Sequence, residues 1–458
     1  MMTRPYDFAV IGAGVVGSAI ARELAGTSHT VALIDFRDDV CEGTSKANTA
    51  ILHTGFDASP GTLESKLVKE GFGLTWDYCE KTNVGLKRSG AVLVAWDEEE
   101  LSALPSLQEK AVQNGYDKTK IIGADEVYEM LPHLGDGVRG GLTVPDESII
   151  DAWSLPLAFA TDAVNRGAKL LLEHEVTGVT QTDQTMILHT SKGDVEARWI
   201  VNAAGLGGDI LDQRAGHDRL KIHPRKGELF VFDKLSSELV DKIVLAVPST
   251  KGKGVLVSPT AFGNVMLGPT ADDGEDRTDT STTEEGFEFL LQKGAHIFPQ
   301  LLGEEVTSSY AGLRAAHNLS DYLIEIDPDK RYIIAGAVRS TGLTSAMAIG
   351  KYVMNLLKEE GVDVTERADL PEPPNMPPLG EHQVRPFADR ELIEADPAYG
   401  EIICFCERVT RGEIRDTMNS TIPPTTINGL RRRTRVMNGR CQGFFCGAEV
   451  TAQFEERS

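Results

Sequence analysis

Residues 6–36 read YDFAVIGAGVVGSAIARELAGTSHTVALIDF, and the order of their parts decides the fold. An apolar run turns at Gly12-Ala13-Gly14-Val15-Val16-Gly17, continues as a helical stretch, and ends in a second apolar run closed by Asp35. Each glycine has a task in such a turn: Gly12 bends the chain, Gly14 lets the backbone approach a pyrophosphate, and Gly17 lets helix and strand pack closely. The helix start offers unpaired N–H groups to the anion. Asp35 stands 23 residues after Gly12, a separation at which an acid reaches ribose hydroxyls. A lone G-x-G-x-x-G is a weak signal, since a glycine-rich βα turn without a ligand reads the same. Here strand, helix and acid all stand in place, and the stretch predicts dinucleotide binding.

The chain around it has 458 residues, too many for one core, which predicts two or three domains. With 41% hydrophobic and 25% charged residues it has the composition of a globular protein. A formal charge of −23 repels nucleic acid and anionic membrane, so neither is expected as a main partner. The sign is uneven: residues 399–458 hold nine Lys/Arg against seven Asp/Glu, a net of +2 that leaves −25 for residues 1–398. The N-terminus lacks the apolar core and cleavage site of a secretory signal, and no apolar run there reaches the roughly 18 residues of a membrane span. The expectation is a cytoplasmic protein, in which clustered cysteines serve as ligands or redox groups rather than disulfides.

LLLEHEVTGV (170–179) followed by ARWIVNAAGLGGD (197–209), and then RYIIAGAVRSTGLTSAMAIGKYV (331–353), each read alone as an ordinary βα unit but stand in a telling order, and the loop GTSKANTAILHTGFDASPGTLESK (43–66) adds small hydroxyl and amide residues. Together with the glycine turn they resemble the FAD-dependent oxidoreductases of the D-amino-acid-oxidase type. The resemblance implies FAD, held by Gly12, Gly14, Gly17, Asp35, Thr44, Ser45, Asn48, Thr49, Val176, Ala204, Gly205, Gly342, Leu343 and Thr344. It departs at Leu206-Gly207-Gly208, where an aromatic usually follows the N-A-A-G turn.

Period-two runs such as GELFVFD (227–233) and GNVMLGPTAD (263–272), punctuated by glycine, predict a mostly antiparallel sheet inserted into the FAD domain. The expected fold is α/β, α+β overall: a Rossmann-like FAD-binding domain (1–88, 150–215, 329–365), a substrate domain (89–149, 216–328), a Pro-rich linker (366–398) and a small helical domain (399–458). HPRKGELFVFD (223–233) and SSYAGLRAA (308–316) are similar to the glycerol-3-phosphate dehydrogenases and L-2-hydroxyglutarate oxidases of this superfamily. That likeness implies Arg314 as an anion anchor, a task suited to a planar guanidinium that can grip a carboxylate or phosphate at two points. Oxidising C–OH to C=O also requires a proton acceptor, for which His53 is the first candidate and His317 the second. Lys226 is a candidate second positive charge. Each of these also reads as an ordinary structural or solvated side chain.

Four of the six cysteines fall as Cys404-x-Cys406 and Cys441-x4-Cys446. Thr410-x-x-Glu413 has the form of a capping box, predicting a short helix over 411–419, and TTINGLRRRTR predicts a second one. The two cysteine pairs then meet at the ends of a helical hairpin. Zinc favours two to four residues between paired ligands, which Cys-x-Cys fits poorly. The stretch resembles the bacterioferritin-associated-ferredoxin-like module, and RRRTRVMNGRCQGFFC (431–446) is similar to the C-terminal module of anaerobic glycerol-3-phosphate dehydrogenase large subunits. This implies a [2Fe–2S] cluster on Cys404, Cys406, Cys441 and Cys446, its negative charge offset by Arg431, Arg432, Arg433, Arg435 and Arg440. Cys41 and Cys79 have no pairing pattern and read as buried small residues.

The combined expectation is a flavin-dependent dehydrogenase of a small anionic secondary alcohol, sn-glycerol 3-phosphate first. The alternatives are a 2-hydroxy acid such as L-2-hydroxyglutarate, an amino acid or opine, and, in another class, a non-catalytic electron-transfer subunit. A flavin takes two electrons as hydride and a cluster passes them singly, so a protein electron acceptor or partner subunits are expected, with any membrane association through such a partner.

Overall fold

Tyr6–Ile11 forms a strand because its residues are apolar and its last four are buried between helices. It is the centre of a parallel sheet ordered Lys169–Leu171, Val31–Ile34, Tyr6–Ile11, Val195–Asn202, Tyr332–Gly336, in a computed structural model that describes residues 4–248 and 254–456. Antiparallel strands Val176–Gln181, Met186–Thr190 and Leu323–Asp327 extend this sheet. Helix Val15–Ala25 packs between helices Ser154–Asn165 and Gly342–Glu359, and Leu63–Thr82 lies against the latter. Phe8, Ile20, Leu33, Ile333 and Ile349 close the core.

The second sheet has nine strands, drawn from 91–144 and 222–317. Its longest pair, Ile222–Phe232 with Val306–His317, is antiparallel. The expected antiparallel rule has one exception: Ile243–Ala246 runs parallel to Ala91–Ala95, because chain arriving from the other lobe enters beside that strand. A third small sheet, Ile51–Leu52, Ser148–Ile150 and Leu86–Arg88, stitches the two lobes together.

Residues 366–398 differ from a solvated spacer. Met376 and Leu379 are buried, Met376 N–H donates to Thr82 O at 2.8 Å, and Arg390–Ala395 is helical with Asp389 capping it. Prolines leave few donors to satisfy, so the segment can lie against the body as an apolar strap. A cleft of about 480 Å³ opens between this strap, helix Ser154–Asn165 and the C-terminal unit. That unit is a hairpin, Ile402–Cys404 with Val409–Thr410, followed by helices Arg411–Met418, Ile427–Thr434 and Gly447–Glu455. The Thr410–Glu413 capping box forms, and Val409, Ile414, Leu430, Val436 and Val450 make a separate small core. No helix among the described residues is long and apolar enough to cross a membrane.

Candidate active site and cysteine centre

The glycine turn leaves no room for side chains. Gly12 has φ +107°, and a Cβ there would lie 2.3 Å from Ala203 O; one on Gly17 would lie 1.9 Å from Gly12 O. No side chain caps the helix starting at Val15 by the usual N-cap bond, and its first N–H instead reaches Ser45 Oγ at 3.0 Å. Asp35 accepts from Ala13 N–H at 2.7 Å and Arg37 N–H at 2.9 Å. Burial raises its pKa, and the Arg37 and Ala13 amides oppose that rise. Thr44 Oγ1 donates to Leu313 O (2.8 Å), and Asn48 bonds Ser45 O and Ala50 N–H (each 2.8 Å), so loop 44–49, with Thr49 half-buried in it, is held in one shape.

Gly342, Leu343 and Thr344 form the buried first turn of helix Gly342–Glu359, which has neither a side-chain cap nor an acidic residue there. A Cβ on Gly342 would lie 3.7 Å from Val16, so the two uncapped helix starts are neighbours. Ala204 and Gly205 follow strand Val195–Asn202, Gly205 with φ +54°, while Val176 is buried at the start of its own strand. Two adjacent helix starts with unpaired N–H groups and a backbone cradle closed to side chains fit an anionic dinucleotide.

His53 follows strand Ile51–Leu52 and is tied to that second helix start, its N–H donating to Thr344 Oγ1 at 3.0 Å. Its Nδ1 lies 3.0 Å from Glu147 Oε2, and the other carboxylate oxygen accepts from Thr54 N–H (2.7 Å) and Thr54 Oγ1 (2.9 Å). Glu147 is fully buried, held where Leu52 pairs with Ser148. A carboxylate on Nδ1 makes that nitrogen the proton donor and leaves Nε2 as the acceptor, the state a base requires. Glu147 escaped sequence reasoning: it stands 94 residues from His53, in the run Asp146-Glu147-Ser148, which reads as an ordinary polar turn.

Arg314 faces Arg225 across the long strand pair. Its guanidinium has no hydrogen-bond or ion-pair partner among the described residues, and burial, with Arg225 nearby, lowers its pKa. Two glycines place it. A Cβ on Gly227 would stand 3.1 Å from Arg314 Nη2, and one on Gly312 would stand 2.3 Å from Ala47 O, so this strand can seat on loop 44–49. Lys226 does not join Arg314. It pairs in register with Leu313, and strand alternation turns it to the opposite face, where Nζ meets Asp279 at 2.9 Å. The basic residue on the Arg314 face is Arg225, already gripped by Asp273 at 2.6 and 2.8 Å. His317 is also displaced from a catalytic part: Arg339 Nε donates to its Nε2 at 3.0 Å and Leu319 N–H to its Nδ1 at 3.2 Å. Burial and Arg339 lower its pKa.

The four C-terminal cysteines come together as two pairs, Cys404 with Cys446 and Cys406 with Cys441. Cys404 also lies near Cys406, and Cys441 near Cys446, so the four thiols form one group. Four thiols so gathered fit a four-thiolate [2Fe–2S] centre. The amides of Phe445, Gly443 and Phe444 hydrogen-bond to Cys441 sulfur, and the Met437 amide to Cys446. The loop bends that make this possible put Arg435, Met437 and Gln442 at φ +70°, +62° and +48°. Cys41 and Cys79 are buried, with thiol pKa values raised by burial.

The arginines have another task than the one expected of them. Arg433 grips Asp39 with two bonds of 2.6 Å, Arg432 pairs with Glu42, Arg435 bonds Glu407 (2.9 Å) and Asn264 (3.1 Å), Arg440 reaches Glu305 (3.0 Å), and Arg431 binds Asn438 (3.0 Å). Most of the cluster therefore docks the cysteine unit onto the rest of the chain, or holds the unit itself. Next to it Trp153 stacks on Phe262 with ring centres 5.4 Å apart, beneath Arg435. The indole N–H of Trp153 donates to Lys46 O, in loop 44–49, at 3.0 Å.

Residues 402–456 match the BFD-like [2Fe-2S] binding domain. A glycerol 3-phosphate dehydrogenase of Caloramator mitchellensis is 36% identical over 97% of this chain and 93% of its own length. The structure of an L-alpha-glycerophosphate oxidase from Mycoplasma pneumoniae with FAD bound superposes with a TM-score of 0.77 at 27% identity, over 82% of this chain and 100% of that one. An L-2-hydroxyglutarate dehydrogenase of Nematostella vectensis is 28% identical over 58% of this chain and 62% of its own. Residues 7–356 match the FAD dependent oxidoreductase (DAO) family, and the chain belongs to that family, an FAD enzyme carrying a C-terminal [2Fe–2S] domain.

Proposed function

We propose that the protein oxidises sn-glycerol 3-phosphate to dihydroxyacetone phosphate and passes the electrons through its cluster to a protein acceptor. The observation that carries this is Arg314, a half-buried guanidinium without a carboxylate partner among the described residues, on a strand whose Gly312 packs against loop 44–49. A cation so placed can take an anion from outside, and its fork fits a phosphate. His53 Nε2 takes the proton of the substrate hydroxyl, with Glu147 stabilising the imidazolium that forms. The flavin, when bound, supplies the acceptor for the hydride that leaves the same carbon. The near full-length likeness to a glycerol 3-phosphate dehydrogenase, tail included, supports this substrate over the 2-hydroxy acid reading. Six free cysteines support placement in the reducing cytoplasm, with any membrane attachment through a partner.

The test is anaerobic bleaching of the flavin by glycerol 3-phosphate, L-2-hydroxyglutarate and a set of amino acids. Glycerol 3-phosphate is expected to reduce the flavin, and Arg314→Ala to raise its apparent Kd at least roughly thirtyfold, the cost of removing a charged hydrogen-bond partner. Absence of bleaching by glycerol 3-phosphate rejects the substrate. Reduction by a partner protein alone would make the chain an electron-transfer subunit.

A further inference from the structure

The three most exposed large apolar side chains among the described residues are Phe444 (84%), Phe445 (76%) and Phe405 (73%). All three stand on the cysteine loops: Phe405 separates Cys404 from Cys406, and Phe444 and Phe445 lie within Cys441-x4-Cys446. Because Cys404 meets Cys446 and Cys406 meets Cys441, the rings share one end of the domain. Phe444 and Phe445 are edge to face, with centres 5.2 Å apart. The small core of the domain uses none of the three. Three phenylalanines exposed to this degree make an apolar area on the order of 400 Å², as large as the biggest patch on an ordinary monomer.

We propose that Phe405, Phe444 and Phe445 form the docking face for a protein electron carrier with its own one-electron centre. The inference rests on the electron outflow proposed above and adds where it leaves. Any protein that covers these rings also covers the cysteine loops, so burial of the patch and approach to the cluster are one event. The electrons balance: each substrate oxidised releases two, and two carrier molecules each take one in turn at this face.

Charge selects the occupant. A second copy would bring together two chains of −23 and two anionic clusters, and an anionic bilayer would meet the same repulsion. The cysteine unit's side-chain net of +2 offsets the charge of an oxidised four-thiolate cluster, so this end of the chain, unlike the −25 of residues 1–398, repels an acidic partner least. Arg440, directly before Cys441, and Arg408, two residues after Cys406, are 46% and 44% exposed at the side chain and remain tied to Glu305 and Glu381. The matching carrier is apolar at the centre of its contact face and acidic at the rim, the usual anatomy of a transient interface.

The probe is the soluble haem domain of cytochrome b5, an acidic one-electron carrier, with basic cytochrome c as its opposite and ferricyanide as an acceptor that needs no docking. The holoenzyme and its Phe405→Ser/Phe444→Ser/Phe445→Ser variant are compared, with iron and FAD content measured in both. Per cluster-loaded enzyme, the variant is expected to lose more of its rate with the acidic cytochrome than with ferricyanide and to show a KM for that cytochrome raised at least roughly tenfold, as loss of central aromatic contacts predicts. The basic cytochrome is expected to bind more weakly than the acidic one to the wild type. Reducing the enzyme with dithionite drives the same transfer without substrate, so failure of the glycerol 3-phosphate reading and failure of this face are distinguished. Equal KM values for variant and wild type would overturn the proposal. So would a wild-type dimer that the variant breaks in sedimentation, or wild-type binding to phosphatidylglycerol vesicles that the variant loses.

Discussion

Asp39→Ala tests whether the iron–sulfur domain is held to the FAD domain by buried charge. Asp39 is fully buried, and Arg433, 394 residues away, is 6% exposed; the two share bonds of 2.6 Å at both guanidinium ends. Asp39 Oδ1 also accepts from Val40 N–H at 2.8 Å, and Gly429 leaves the space its carboxylate occupies, since a Cβ there would lie 2.7 Å from Oδ2. Removing the aspartate strands a buried guanidinium, which costs about 3–5 kcal/mol. If the domain can lift off on its strap, that shifts the docked population by roughly two to four orders of magnitude. The variant is therefore expected to keep its FAD and its iron, to melt earlier, and to reduce its cluster slowly after substrate has reduced the flavin, as read by stopped-flow absorbance and EPR. Replacing both partners with apolar residues, Asp39→Leu with Arg433→Met, is expected to recover most of the stability, because no charge is then left unpaired. The reasoning is refuted if Asp39→Ala falls within about 0.5 kcal/mol of wild type, or if the double variant is as unstable as the single one.

Three further outcomes follow from the site. Glu147→Gln keeps the shape but offers His53 a mixed donor and acceptor; kcat should fall at least roughly tenfold and its pH profile should move, with substrate binding little changed. Gly312→Ala drives a methyl into Ala47 O, so loop 44–49 must give way; FAD should dissociate more readily and stability should drop by about 1–3 kcal/mol, read by flavin fluorescence and calorimetry. His217, His317 and His382 all have pKa values lowered below 6.5, first by burial. The unfolded chain therefore binds protons that the folded one refuses, and stability should decline as pH falls from about 6.5 through their folded values. Denaturant midpoints at pH 7.5 and 5.5 would show it, and Arg339→Gln, which removes a positive neighbour of His317, should soften the decline.

What the sequence by itself determined about this protein is what local spacing encodes. A turn that needs glycine at positions 12, 14 and 17 announces itself because the steric demand falls within six residues, and the structure shows the backbone contacts that enforce it at Gly12 and Gly17. The Thr410–Glu413 cap was legible for the same reason, since it closes within a few residues, whereas the cysteines showed their spacing but not that Cys404 meets Cys446 and Cys406 meets Cys441. Which side chains meet across the fold was another matter. Lys226 and Arg225 are neighbours in sequence, yet strand alternation sends one to the Arg314 face and the other away, and only the pairing register says which. Glu147 reaches His53 through a small sheet that joins distant segments, and an acidic pair in a turn carries no sign of that. The arginines of 431–435 read as counter-charges to a cluster until Asp39 and Glu42, contributed by the loop after the second strand, were seen to take them. Burial removes water from these pairs and so fixes their partners, and burial is a property of the assembled chain.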